Sequence, residues 1–510
     1  MSFRPYAPAT PLLFGYDPER DLPADHLARL VERVVEESLT APSCSVRPGQ
    51  PTFDPRLCAK VLLYGYATGV RSSRQLQRQC EECLPYLYLT RGDTPSYRTL
   101  CSFRVHHSDL IETVWLGLFA VAREVGIQRL GRIVVDSSKF RADAAPEAVV
   151  KQVEFEAVLT ELKDVLKQAE AADAQDQQDP PGTTRLERSV PPQQMRDILR
   201  RVRNQLAQSR NPLATPLAPS PSEPPPLGPG MRTRLQAAMA TIEAAQKEEL
   251  KQACLTDPDA RMMGEGREKS IRECHSYEVA VDNGLLVAAQ TTHSSHDAAR
   301  LLPLVEAARL QEPAPLTAVD ADSGYYTGDV IASLIAEGLD VCIPDTHTAC
   351  DLHRRQPVGT TRAKITGTVV FTYEAQGDQF TCPQGHLLTY RQQRVRSGQE
   401  VRVYHALQAC PADCPLASMC GASLSRKRRM LTVRIHQDVL QAHQQRFLDP
   451  LHVTRYRQRA PAVETVFGFL RAVLGYSRWR LRGKERVAAE ARLFTAAYQL
   501  RKIHSARAHA

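Results

Sequence analysis

Nothing in this 510-residue chain is long enough and apolar enough to span a bilayer, which takes about 18 or more consecutive residues with few charges. The opening MSFRPYAPATPLLFGY also lacks the basic-then-apolar layout of a secretory signal. A soluble, cytoplasmic protein with no membrane partner is therefore expected. Cysteine is odd in number, 13, and widely spread with no export signal, so a disulfide framework is not expected; reduced thiols or a metal site fit better. Acidic residues are scarce at one end. From Gly421 to Ala510 there are 19 Lys and Arg against 5 Asp and Glu, while the whole chain carries a formal net charge of only +8, so the remainder is net acidic. A concentrated basic end of this kind suits a polyanionic partner.

The length suggests two to four domains. Residues 1–25 read as a Pro-rich arm, and 26–40 repeat apolar residues at helical spacing. Helices are expected over 53–69, 72–84, 96–106 and 109–126, with Asp54, Ser72 and Ser96 placed as N-caps. Exposed Arg and Lys on these short helices suit DNA contact and plain solvation equally. Residues 132–136 (RIVVD) read as a buried strand. A long interruption, 144–262, follows, with Pro-rich breaks at 175–184 and 211–230 that cannot pack. Strands are expected at 275–282 and 284–293, joined by a turn at Asp282, Asn283 and Gly284. A helix (296–310), a strand (316–322), a helix (328–339) and a strand (340–345) come next. This alternation implies a mixed sheet flanked by helices. A second interruption runs from about 346 to 455, and two helices, 460–475 and 484–504, close the chain.

Carboxylates stand at telling places. Asp136 ends the first buried strand, Asp320 and Asp322 end a second, and Glu464 is the one acid amid apolar positions of helix 460–475. Strand ends line the functional crevice of an open sheet. Three acids with no evident His or Cys partner suit two Mg²⁺ ions, which prefer oxygen ligands and neutralise the attacking and leaving oxygens of a phosphodiester. Asp320 rivals Asp322, since residues two apart on a strand share a face. Asp143 rivals Asp136 but lies past the polar turn, and Glu464 could be a surface acid.

Five stretches in order (53–89, VVDSSKFRADA, DPDARMM, VDADSGYY and 463–503) resemble bacterial insertion-sequence DDE transposases, with an InsH-type helical N-terminal domain and an RNase H-like catalytic domain. The resemblance implies an all-α DNA-binding domain over 1–127 and an RNase H-like mixed-sheet core over 128–143, 263–346 and 456–510. A helical, partly disordered insertion (144–262) and a small β-rich insertion (347–455) interrupt that core. It implies that Asp136, Asp322 and Glu464 bind two Mg²⁺ or Mn²⁺ ions, and that double-stranded DNA is cut at the element ends and joined through 3′ hydroxyls to target DNA, with a homodimer on DNA. Tyr456, Arg459, Glu464 and Arg471 follow the family's Tyr-Arg-Glu-Lys order. Arg459 to Glu464 is one residue longer than the commonest spacing, and Arg replaces Lys at 471, so altered phosphate geometry is expected. The alternatives are an inactive or domesticated DNA-binding remnant and a non-transposing nuclease.

In the second interruption, Cys382, Cys410, Cys414 and Cys420 could hold a structural zinc, with His386 as an alternative ligand; free thiols are the other reading. Cys80 and Cys83 read as helix packing residues. Arg478, Trp479, Arg480, Arg482 and Lys484 form a basic stretch beside the Glu helix, suited to phosphate contact. Trp479 and Tyr476 could stack on an unpaired base or pack against the closing helix.

Overall fold

The computed structural model describes the chain apart from residues 1–16, 42–51, 177–192, 211–228, 266–269, 294–299, 311–314, 361–370, 375, 397–398, 409–410, 412–413, 417–419, 421–422, 426–427 and 509–510. Most of the N-terminal arm and of both Pro-rich breaks lies outside the described residues.

Helices α1 (Pro18–Asp21), α2 (Leu27–Ser38), α3 (Pro55–Ala67), α4 (Ser73–Glu82), α5 (Leu84–Thr90), α6 (Tyr97–His106) and α7 (Ser108–Glu124) come first. Two expected caps form: Asp54 accepts the Arg56 N–H at 2.8 Å and Ser96 that of Thr99 at 3.1 Å. Each satisfies a donor that a helix start otherwise leaves bare, an effect of about 1 kcal/mol. Ser72 stands at the N-cap of α4 but makes no capping bond. Helix α5 was not expected; it ends where Arg91 turns left-handed, at φ 53°.

The central sheet contains β1 (Arg132–Arg141), β4 (Arg261–Glu265), β5 (Ser270–Asp282), β6 (Leu285–Thr292), β7 (Ala318–Asp320) and β8 (Asp340–Cys342). Its order is β4-β5-β1-β7-β8, with β6 also on β5. Strand β5 is long enough for both neighbours: residues 270–274 pair with β4 and 276–282 with β6. The β5–β6 turn has Asn283 at φ 51° and Gly284 at φ 76°, the two positive φ values a tight hairpin requires. Strands β1, β7 and β8 run parallel. Strand β1 does not stop at Asp136, because β5 continues to pair with it antiparallel as far as Arg141. What ends near Asp136 is the parallel pairing with β7. Helices α11 (Leu301–Arg309) and α12 (Gly328–Ala336) connect the later strands.

The first insertion closes at its base through β2 (Val149–Lys151) and β3 (Gln252–Cys254), paired antiparallel. Its helices α8 (Phe155–Asp176), α9 (Gln193–Arg210) and α10 (Pro229–Lys247) bury Phe155, Leu162, Ile198, Leu235 and Ile242 in a separate core. The second insertion is an antiparallel sheet of β9 (Thr372–Glu374), β10 (Gln379–Thr381), β11 (Leu387–Arg396), β12 (Gln399–Ala406), β13 (Ser423–Ser425) and β14 (Arg428–Arg434). Its order is β13-β14-β12-β11-β10-β9. The chain rejoins the main body before residue 456: helix Gln437–Gln445 packs on α12, and helix Pro450–Arg457 on β8.

The expected helix over 460–475 is an α-helix, Arg459–Gly468, followed by a π-helical turn, Phe469–Val473. It is separated from Pro450–Arg457 by a turn at Gln458. Pro461 supplies no N–H for the Arg457 carbonyl, which breaks the helix there. A closing helix, Lys484–Arg507, buries Val487, Leu493, Phe494, Leu500 and Ile503. It packs against α2, α3, α7 and β6, so helices α2–α7 share one continuous hydrophobic core with the sheet. Burying each such side chain contributes about 1.5–3 kcal/mol.

Candidate active site

Strands β1 and β7 pair Arg132 with Ala318, Ile133 with Val319 and Val134 with Asp320. The pairing ends there; Asp136 and Asp322 lie two residues beyond it on their respective strands, and both act on the Arg459 guanidinium. The extension past β7 stays regular for this step: the Ala321 N–H still reaches the Cys342 carbonyl at 3.3 Å, and Asp322 keeps an extended backbone at φ −81°, ψ 176°. Asp322 then caps a short turn by accepting the Gly324 N–H at 2.9 Å. Asp136 accepts the Ser137 N–H on Oδ1 at 2.7 Å and Arg459 Nη1 on Oδ2 at 2.9 Å.

Asp320, the rival acid, is fully buried and is gripped by Arg132 Nε at 2.7 Å and Arg455 Nε at 2.8 Å. Arg455 also pairs with Asp340, which bonds Arg446 in turn. Asp320 is thus the centre of a buried ion cluster, whereas Asp322 stands beyond it at the strand mouth. The sequence alone marks neither arginine as its partner. Asp143, the other rival, pairs with Arg482 at 2.8 Å.

Arg459 sits in the first turn of the Glu464 helix, with its guanidinium 5.6 Å from the Tyr456 ring centroid. Burial works to lower its pKa, but the carboxylates of Asp136 and Asp322 help to outweigh that and hold it above the ordinary arginine value. Burial is also the main cause that raises the Tyr456 pKa. Asp136, Asp322, Tyr456 and Arg459 therefore meet in one place. Glu464 lies on the same helix, which packs on β1 and β5 through its buried Val463, Val466 and Phe467. Glu464 itself is exposed, and no hydrogen bond or ion pair among the described residues engages it. Arg471, in the π turn, donates to Ser138 Oγ and the Lys139 carbonyl, both at 2.8 Å, with its guanidinium 4.8 Å from the Phe140 ring centroid.

Among the described residues no group of three or more His, Cys, Asp or Glu side chains is arranged to hold a metal. The donor chemistry of the Asp136–Asp322 pair still fits Mg²⁺ or Mn²⁺, since Mg²⁺ is commonly held by one or two carboxylates, with water and substrate phosphate completing the shell.

The basic stretch is held by its backbone. Glu490, fully buried on the closing helix, accepts the N–H groups of Arg480 at 2.8 Å and Leu481 at 3.0 Å. Asp257 takes the Gly483 N–H at 3.0 Å and Asp259 that of Lys484 at 2.7 Å. Both belong to DPDARMM, a stretch whose sequence alone suggests no role for them. The side chains of Arg478, Arg480, Arg482 and Lys484 are exposed. Trp479 and Tyr476 are not: both are fully buried and stacked on Phe494, with centroids 4.7 and 4.1 Å away. The base-stacking expectation for Trp479 is corrected; an indole wedged between strand β1 and the closing helix has no free face.

Cys382, Cys414, Cys420 and His386 line one cavity of about 30 Å³ in the β-rich insertion. The Cys382 Sγ accepts the His386 N–H at 3.4 Å. Cys410 lies outside the described residues, and every described cysteine is a free thiol. A larger cavity, about 580 Å³, separates the helical insertion from β4 and β5 and is lined by Arg141, Lys151, Arg203, Met262, Arg272 and Glu273. Burial pushes the Glu273 carboxyl up to about 7. No described helix is long and apolar enough to cross a membrane.

Comparison with known families gives two matches. Residues 16–106 match the family described as Transposase domain (DUF772), and residues 381–504 match the Transposase DDE domain. The second match contains Glu464 but neither Asp136 nor Asp322. No curated protein matches the chain.

Proposed function

The chain belongs to the insertion-sequence DDE transposases, and from that premise we propose that it cuts double-stranded DNA at element ends and joins the 3′ hydroxyls to target DNA. What supports this reading is that Asp136 and Asp322, each two residues beyond the last β1–β7 pair, both act on Arg459 at the start of the helix that bears Glu464. The sheet supports an RNase H-like core, with an antiparallel β1-β5-β6 meander followed by parallel β7 and β8. Divalent ions, when bound to these carboxylates, would supply the neutralisation that the attacking and leaving oxygens need.

The chain's own residues bind and orient the DNA. Arg478, Arg480, Arg482 and Lys484, on their clamped loop, hold backbone phosphates. Tyr456 and Arg459 address the phosphate nearest the carboxylates. Joining two ends favours a dimer on DNA.

Asp136→Asn, Asp322→Asn and Glu464→Gln should each lower Mg²⁺-dependent end cleavage at least about 10³-fold, while end binding by gel shift stays within a few-fold. Retained cleavage removes that residue from the assignment. Strand transfer into a second DNA separates a transposase from a simple nuclease. A structural zinc would use Cys382, Cys410, Cys414 and Cys420, with His386 as the alternative ligand. Elemental analysis of the purified chain reads this directly, and substoichiometric zinc that Cys414→Ser leaves unchanged would dismiss the site.

A further inference from the structure

We propose that Arg459 serves in the DNA-free protein as a built-in counter-ion that keeps Asp136 from a divalent cation, and that a DNA phosphate draws the guanidinium away and opens the carboxylate. This rests on the reading of Asp136 as a cation ligand.

Both oxygens of Asp136 are engaged, Oδ1 by the Ser137 N–H and Oδ2 by Arg459 Nη1. The ion pair is largely buried, with 12 % of the Arg459 side chain and 20 % of the Asp136 side chain exposed. A divalent cation taking Oδ2 would lie against a positive charge in a poorly screened place. Arginine stays charged at any working pH, so deprotonation cannot clear the site. A competing anion can. Arg459 Nε is buried without a hydrogen-bond partner, which leaves part of the planar fork uncommitted, and that fork matches phosphate as well as carboxylate. Tyr456, beneath the guanidinium, offers a ring face that stays in contact as the fork turns. Pro461 in the same turn removes the helical hydrogen bond to the Arg457 carbonyl, so the backbone around Arg459 has one fewer i→i−4 tie.

Linkage then requires reciprocity: DNA raises cation affinity by the factor by which the cation raises DNA affinity. Arg459 thus acts as a positioning residue that orders the two binding events and keeps the nuclease centre unloaded away from DNA.

The test titrates Mn²⁺ into the full-length, DNA-free protein by calorimetry. Arg459→Gln should bind Mn²⁺ at least about tenfold more tightly than the unsubstituted chain. Arg459→Lys, which keeps a cation, should remain near the unsubstituted value, and adding Asp136→Asn to Arg459→Gln should abolish the gain. In a second readout, Mn²⁺ should strengthen binding of a fluorescent 40-base-pair duplex, followed by anisotropy, more in the unsubstituted chain than in Arg459→Gln. Equal, Asp136-dependent Mn²⁺ affinity in the Arg459→Gln and unsubstituted proteins, both shown folded by circular dichroism, overturns the counter-ion proposal alone. If Asp136→Asn changes no Mn²⁺ binding in any background, with or without the duplex, the underlying metal-ligand reading fails instead.

Discussion

Two acids two residues apart, Asp320 and Asp322, have opposite surroundings. Asp320 is locked between Arg132 and Arg455 inside the protein, and removing a partner from such a buried pair is costly. Arg455→Ala should destabilise the chain by roughly 3–5 kcal/mol in urea unfolding, because it strips one of the charges that compensate a buried carboxylate. Glu490 invites the same test. It accepts two backbone N–H groups and the Tyr66 hydroxyl at 3.3 Å, so Glu490→Ala should both unfold more easily and loosen the basic loop, seen as faster proteolysis between Arg478 and Lys484. A third residue-scale outcome concerns pH. Partial burial pushes the Glu273 carboxyl from its ordinary 4.5 up to about 7. A raised folded-state pKa contributes stability that is complete below about 4.5 and lost as pH rises through 7. The melting temperature of the unsubstituted chain, compared with Glu273→Gln, should therefore fall between pH 5 and 8; a parallel pH profile of the two would contradict it.

At the scale of elements, the basic segment works as a loop rather than as loose charge. Four acids, from the end of β1, the exit of the first insertion and the closing helix, tether it at the Arg482 side chain and at the backbone of Gly483, Lys484, Arg480 and Leu481, leaving the tips of Arg480 and Lys484 outward. Replacing Arg478, Arg480 and Arg482 together by Ala should flatten the dependence of log affinity on log salt by about 0.9 for each phosphate that is no longer neutralised. An unchanged slope would place the DNA elsewhere. The broken Glu464 helix belongs at this scale too. Pro461 falls within the longer Arg459–Glu464 spacing that the sequence shows, and the π turn after it carries Arg471 onto the β1 backbone instead of leaving it free.

At the scale of the molecule, the front helices and the sheet form one unit because the closing helix packs on both. Expressed alone, residues 1–127 would expose the apolar faces of α3 and α7 and should not give a cooperative melt. The helical insertion is different, since it buries a core of its own behind a two-strand base. Ala145 and Thr256 already touch across that base, N to Oγ1 at 3.1 Å. Excising residues 147–254 and bridging the ends with a short Gly-Ser linker should leave the main body folded, with a single melting transition within several degrees of the parent.

Local chemistry settled much of this in advance. The periodicity of α2, α3 and α7, the Asn283–Gly284 turn, the strand-helix alternation and the basic end are properties of short windows, and each was legible in the order of residues alone. So was the candidate status of Asp136, Asp322 and Glu464, although there the family resemblance chose among neighbours that pattern could not separate. Tertiary structure decided what depends on partners distant in sequence: that β1 runs past Asp136 because β5 pairs with it, that Asp320 is committed to Arg132 and Arg455, that Trp479 is covered by Phe494, and that the front helices share the closing helix's core. Hydrogen-bond partners, burial and ion pairing are set by which surfaces meet, and no local window of sequence contains them.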